Sequence, residues 1–162
     1  MPNESLLIGL SQIGAVFAGF MAIFIALVQR DGRLDPVAGL RARSILHTSV
    51  MTIMISLLPL VLAAAGFEAE MAFRGAAGLG AAAGLVLSFE GARHQTKLTT
   101  EQKKSTGMVF NIISWGLTGI AFLNAIGIAA GLIGIAYYTA TIFLIVLVSA
   151  LNFVKISLEQ WL

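Results

Sequence analysis

The chain has 162 residues, of which 58% are hydrophobic and only 11% are charged. A water-soluble globular domain carries about 25% charged residues, so this composition excludes an ordinary soluble domain. Ten Lys and Arg against eight Asp and Glu are too few basic groups for a nucleic-acid-binding face. We therefore expect an integral membrane protein of a cell membrane, of the bacterial inner type, in contact with the lipid bilayer and without a nucleic-acid partner.

The apolar stretches set the expected fold. About 20 apolar residues at 1.5 Å rise cross the hydrocarbon core of a bilayer. The uncharged run 105–154 is too long for one crossing, so a hairpin is predicted near Gly127, Gly131 and Gly134. The fold class is an all-α, polytopic membrane bundle that forms one domain over residues 1–162, with spans at about 6–29, 44–67, 71–89, 108–130 and 135–156.

The distribution of basic residues decides whether the weakly hydrophobic segment 71–89 crosses the membrane. Cytoplasmic loops are enriched in Lys and Arg, and segments 30–43 and 90–104 are the most basic ones. If segment 71–89 spans, both lie on one side together with Lys155, and only Arg74 lies outside. We therefore predict five spans, with the N-terminus outside and the C-terminus in the cytoplasm, and we interpret 90–104 as a polar cytoplasmic loop.

Local signals mark the ends and irregularities of these helices. Thr99 with Gln102 fits a capping box at the start of a helix. Pro59 lies inside the second span and predicts a kink, because the carbonyl four residues earlier loses its helical hydrogen bond. Tyr137 and Tyr138 lie beside the predicted outer hairpin, where aromatic residues are typical of the membrane–water interface.

The third span is the richest in small residues, which favour close helix contact inside a membrane. So many short side chains leave voids against lipid, and we expect this helix to be central in the bundle. One interpretation is ordinary packing within a single bundle, which we favour because glycine is frequent in membrane helices. The other is a homo-oligomer contact or a pore wall. The candidate packing glycines are Gly75, Gly78, Gly80 and Gly84.

Uncharged polar side chains form two stripes at helical spacing. Three on the fourth span share a face at i, i+3 and i+7, and three on the second span share one at i, i+4 and i+8. Such groups are typical of a water-filled path. They are also typical of interhelical hydrogen bonds worth about 0.6 kcal/mol each, the interpretation that we favour. The candidate pore-lining or interhelical residues are Thr48, Thr52, Ser56, Asn111, Ser114 and Thr118.

Residues that carry chemistry are scarce. Ionisable side chains at mid-membrane mark proton relays and ion pathways, and here the charges fall at span ends. His47 is interpreted as an interfacial polar residue rather than a ligand or pH sensor, and His94 as a solvated loop residue. Because the chain has no Cys, no catalytic motif and no phosphate-binding loop, we expect no enzyme, no catalytic residue, no metal site and no cofactor.

Three functional hypotheses follow. The first is a homo-oligomeric channel or pore-like transport protein without an ion-coupled charge relay, since five short spans suit a pore formed between subunits. The alternative is a non-catalytic accessory or scaffold subunit of a larger membrane complex. The expected partners are therefore further copies of the chain or other membrane subunits. An enzyme acting on lipid ranks last, because no nucleophile, base or metal is found for it.

Overall fold

The computed structural model describes residues 4–30, 36–105 and 107–161. No strand occurs in this part of the chain. The α-helices are α1 (Glu4–Arg30), α2 (Pro36–Ala64), α3 (Ala69–Thr96), α4 (Thr100–Ser105), α5 (Met108–Ala129) and α6 (Tyr138–Trp161), with a short 3₁₀ turn (Ile135–Tyr137) before α6.

Five of these helices, α1, α2, α3, α5 and α6, are long and apolar enough to cross a membrane. The prediction of an all-α, multi-spanning bundle is confirmed, and the weakly hydrophobic third segment is one of the five. Its helix extends beyond the predicted end at residue 89 and continues to Thr96. Residues 90–96, interpreted above as part of a loop, are therefore the last two turns of α3. The side of the membrane that each terminus faces stays a prediction.

Four helices form a closed ring, and α1 lies beside it. α2 packs against α3, α3 against α5, α5 against α6, and α6 against α2, while α1 packs against α2 and α6. α2 and α6 each pack against three other long helices, whereas α3 packs against two, so the expectation that the Gly-rich third span is central is wrong. α3 packs mainly against α2 and α5, and it exposes Leu85, Val86 and Phe89 on its other face.

Two groups of buried apolar side chains hold the bundle together. The larger joins all five long helices and includes Leu7, Ile55, Phe73, Ile128 and Ile142. The smaller joins α1, α2 and α6 near the opposite end of the bundle through Met21, Ile45 and Ile156. The larger group therefore lies toward the predicted outer end of the bundle and the smaller group toward the other end.

The turns follow the local signals. Gly66 after α2 and Gly131 after α5 have positive φ values of 94° and 73°, the conformation in which glycine commonly ends a helix. Leu132 N–H donates to Gly127 O at 2.8 Å, which completes the hairpin predicted at this point.

The predicted capping box is confirmed. Thr99 N–H donates to Gln102 Oε1 at 2.9 Å, and Gln102 N–H donates to Thr99 Oγ1 at 3.3 Å. The helix that it starts is α4, of only six residues, and Gly107 with a φ of 75° precedes α5.

Candidate functional site

A cavity of about 200 Å³ lies along the axis of the ring formed by α2, α3, α5 and α6. None of the described residues of α1 lines it. Its lining residues recur every three or four positions on each of the four helices. On α5 they extend from Asn111 to Ala125, about 20 Å of helix at 1.5 Å rise. An engineered cavity of about 150 Å³ holds a benzene molecule, so this one has room for a small organic group.

One end of the cavity carries a cluster of charged and imidazole side chains that links α2 to α3. Arg43 Nη1 lies 2.9 Å from His94 Nε2 and 3.9 Å from Glu90 Oε1. His47 lines the same end. The side chains of Arg43 and Glu90 are 51% and 43% exposed, which makes this the open end of the cavity.

The contacts of His94 define its tautomer. Arginine has only hydrogen-bond donors, so Nε2 of His94 accepts from Arg43. Nδ1 lies 2.9 Å from the backbone oxygen of Glu90 and, carrying the proton, donates to it. The imidazole therefore carries its proton on Nδ1, which leaves Nε2 as the acceptor for Arg43.

The polar stripe predicted on the fourth span faces the cavity. Asn111, Ser114 and Thr118 all line it, and Thr48 of α2 lines it as well. Thr118 donates to the backbone oxygen of Ser114 at 2.8 Å. Among the described residues, the buried hydroxyl of Ser114 has no hydrogen-bond partner.

Thr48 also joins two helices of the ring. Its Oγ1 lies 2.5 Å from Oγ of Ser149 on α6 and 2.9 Å from the backbone oxygen of Ser44, to which it donates. Thr48 is therefore both a cavity residue and an interhelical hydrogen-bonding residue. The two interpretations of the polar stripes coincide at this position.

Thr52 and Ser56 do not line the cavity. Both are fully buried, and a Cβ atom on Gly14 of α1 would lie 3.2 Å from Thr52 Cβ. Residues four apart in a helix differ by about 40° around its axis, so Ser56 points about 80° away from Thr48. The second-span stripe therefore turns from the cavity toward α1.

The opposite end of the cavity is closed by Tyr138. Its hydroxyl donates to the backbone oxygen of Ile55 at 2.6 Å, and its ring meets Phe73 edge-on at 5.1 Å. Tyr138 is 3% exposed, whereas Tyr137 is 60% exposed. Tyr138 therefore packs inside the bundle, and its depth at the membrane interface stays a prediction. α2 continues as a helix through Pro59.

The α3 glycines divide between the cavity and the helix contacts. Gly80 and Gly84 line the cavity, and a Cβ on Gly80 would lie 3.0 Å from Ile55 Cγ2. Gly75 faces α2 outside the cavity, and Gly78 faces α5. All four positions lie where α3 meets a neighbouring helix or borders the axis of the ring.

The polar composition of residues 90–104 predicts a loop, so Glu90 and His94 do not stand out in the sequence as site residues. A signal was present: Gly84, Gly91 and His94 follow the helical spacing of the cavity stripe on α3, and all of them line the cavity. The role of Tyr138 had no such local signal, since its acceptor lies 83 residues away in the chain.

Comparison with known protein families, with characterised proteins and with solved structures finds no match for this chain. The fold defines its class: it is a multi-spanning membrane protein, with five long apolar helices in the part of the chain that the structure describes. Within that class, the distinguishing feature is a four-helix ring around a cavity that is polar and open at one end.

Proposed function

We propose that this protein is a small membrane transport protein, of the channel or gated-pore kind, and that its solute passes through the ring of α2, α3, α5 and α6. The supporting observation is that Asn111, Ser114 and Thr118 share the cavity with Thr48 inside one bundle. Empty space in a bundle forfeits dispersion contacts. Hydroxyl and amide groups that line a cavity can replace part of the hydration shell of a solute that enters it.

In this proposal the path lies within one subunit. The sequence favours a pore between subunits, and association of copies stays a prediction, but the cavity is bounded by four helices of a single chain. No enzymatic step is part of the proposal.

The path is gated in this proposal. The cavity is open beside Arg43 and Glu90 and closed by the buried ring of Tyr138. Solute release at the closed end requires α6 to move away from α2 at the contact between Tyr138 and Ile55. Pro59 lies one turn beyond Ile55, and proline positions are where helices bend most readily.

The proposal includes no charge relay through the membrane. The ionisable side chains that line the cavity at its open end are Arg43, His47, Glu90 and His94. Between that end and Tyr138, the described lining residues carry hydroxyl, amide, indole and apolar groups. Coupling to a proton chain normally uses ionisable groups at depth, so the transport proposed is uncoupled.

Flux through reconstituted protein tests this function. The purified protein in liposomes is assayed with inorganic ions, small uncharged solutes and short-chain carboxylates. We expect flux of at least one solute above that of empty liposomes, lowered severalfold by Thr48→Val and by Asn111→Leu. Thr52→Val is the matched control, because Thr52 lies on the same helix but outside the cavity.

Two results would contradict the proposal. One is no flux of any solute from well-folded protein. The other is an equal loss of flux in Thr48→Val and Thr52→Val. Stoichiometric co-purification of other membrane subunits, together with the absence of flux, would instead favour the accessory or scaffold role.

A further inference from the structure

We infer that the cavity takes a single-chain amphipathic anion, with its anionic head at Arg43 and its aliphatic chain along the α3 wall. The inference rests on the proposed function, because it names the class of solute that the cavity carries. It joins two features of the site: a cation with unused donors at the open end, and apolar walls on α3 and α6 deeper in the cavity.

The head-group end is built around Arg43. A guanidinium has five N–H donors in a planar fork, and Arg43 uses one of them on His94 at 2.9 Å. The carboxylate of Glu90 at 3.9 Å is beyond hydrogen-bond distance. Half of the Arg43 side chain is exposed, so the remaining donors can bind a carboxylate or phosphate group in the bidentate way that arginine favours.

The carboxylate of Glu90 determines whether a substitution at this end strengthens or weakens the binding of a charged ligand. Its carboxylate competes with an anionic head for Arg43, so neutralising it should tighten binding of an anion. A cationic head would show the reverse dependence, since it would bind Glu90 and be repelled by Arg43. The two side chains therefore distinguish the charge of the ligand.

The chain end is built from small and apolar residues on two helices. Ala77, Gly80 and Ala81 of α3 line one wall, and Ile142, Ile145 and Val148 of α6 line another. An inorganic ion beside these walls loses hydration that nothing replaces, whereas an alkyl chain gains by leaving water. Hydrogen-bonding groups line other parts of the cavity as well, among them Thr141 and Asn152 at the two ends of the α6 wall. The lining residues between them on α6, and those of α3 from 76 to 84, are apolar or glycine, so these two walls favour a chain.

The volume favours one chain rather than two. The cavity of about 200 Å³ is only modestly larger than the cavity of about 150 Å³ that holds benzene. A free single-chain carboxylate fits this limit, and a two-chain phospholipid exceeds it. Both share the anionic head, so the experiment includes each of them.

Tryptophan fluorescence measures the binding. The chain has two tryptophans, and Trp115 lines the cavity, so Trp161→Phe leaves one reporter there. The detergent-purified protein is titrated with ω-bromodecanoate, whose bromine quenches an indole at contact distance. We expect saturable quenching that corresponds to one molecule per chain, and displacement by unlabelled decanoate.

A cavity-filling variant separates binding from partition into the micelle. A Cβ on Gly84 would contact only Met51 Cε at 3.9 Å, so Gly84→Leu fills the cavity and should abolish saturable quenching. Gly116→Leu is the matched control, because Gly116 is on the exposed face of α5 with open space around it. Equal quenching in the parent and in Gly84→Leu would overturn the inference.

Head-group variants test the anion. We expect Arg43→Gln to weaken decanoate binding about tenfold, the loss of a charge-assisted hydrogen bond, and Glu90→Gln to tighten it. Arg93→Gln is the control, because Arg93 is exposed on the same end of α3 and does not line the cavity. These variants carry the test if Gly84→Leu does not fold.

Other probes give the outcomes that would refute the inference. If decanol binds as tightly as decanoate, the anionic head does not contribute to binding. If acetate or inorganic phosphate displaces decanoate at equal concentration, the aliphatic chain does not contribute. Preferential quenching by a chain-brominated phospholipid in nanodiscs would refute a single-chain ligand.

Decanoate binding without flux of any solute would refute transport and leave this inference standing. Flux that decanoate does not inhibit would refute this inference alone.

Discussion

The hydroxyl of Tyr138 donates a 2.6 Å hydrogen bond to the backbone carbonyl of Ile55, the carbonyl that Pro59 leaves without a helical donor. Lipid has no group to replace that donor, so α6 supplies it from another part of the chain. The same contact closes the cavity. One hydrogen bond therefore repairs an interrupted helix and forms the closed end of the candidate path.

Replacing this donor should destabilise the bundle. We expect Tyr138→Phe to lower the free energy of unfolding by about 1–2 kcal/mol, because the buried Ile55 carbonyl then has no partner. Reversible unfolding in mixed micelles measures the change. In a Pro59→Ala background, residue 59 regains an N–H for that carbonyl, so Tyr138→Phe should cost clearly less. An equal cost in both backgrounds would show that the hydroxyl does not compensate for the proline.

The contact between α1 and α2 depends on Gly14. A Cβ there would lie 2.9 Å from the backbone oxygen of Ser49, which cannot rotate away as a side chain does. We expect Gly14→Ala to push the helices apart and to cost about 1–3 kcal/mol, as overpacking does. Gly19→Ala on the same helix meets open space and should be near neutral in the same unfolding assay. Similar costs for the two would argue against the close approach.

The hairpin after α5 depends on the backbone of Gly131. Its φ of 73° costs a residue with a Cβ about 1–2 kcal/mol, and that Cβ would lie 2.9 Å from the guanidinium of Arg74. Gly131→Ala should lower the unfolding free energy by about this amount. Gly134→Ala is the control, since Gly134 has a φ of −66° and open space around it. A neutral Gly131→Ala would contradict the left-handed conformation.

The contact between Arg43 and His94 should fix the tautomer of the imidazole. Arginine has only donors, so Nε2 of His94 must carry no proton to accept from Arg43, and the ring proton lies on Nδ1. Nitrogen-15 NMR of histidine-labelled protein should show Nδ1 protonated and Nε2 bare at alkaline pH. An Nε2-protonated ring at that pH would contradict the arrangement. His94→Phe supplies the control spectrum that assigns the signal.

Two hydroxyls of α2 should differ in their contribution to stability. Thr48 bonds to Ser149 across the helix contact, so Thr48→Val should cost about 0.6 kcal/mol, the average for such bonds in membranes. The buried hydroxyl of Ser56 has no hydrogen-bond partner among the described residues, so Ser56→Ala should be neutral or stabilising. A larger loss for Ser56→Ala in the unfolding assay would reveal a partner for that hydroxyl.

The sequence by itself determined the spans and turns, because the constraints that a bilayer places on a helix act within a single segment of the chain. Crossing length, charge bias and turn residues act within one segment, so they predicted five spans, the hairpin at Gly131 and the capping box at Thr99. They failed at the end of α3. Polar composition there indicated a loop, whereas the helix continues to Thr96 and faces Arg43 across the open end of the cavity.

The tertiary structure alone decided which side chains meet. Helical spacing placed Thr48, Thr52 and Ser56 on one stripe, but whether each residue faces the cavity or α1 depends on where the neighbouring helices lie. The contacts of Arg43 with His94 and of Tyr138 with Ile55 join residues 51 and 83 positions apart. Apolar helix faces have similar sequences, so the sequence does not show which helices pack together. The cavity and its closed end are therefore defined only by the packing of the helices.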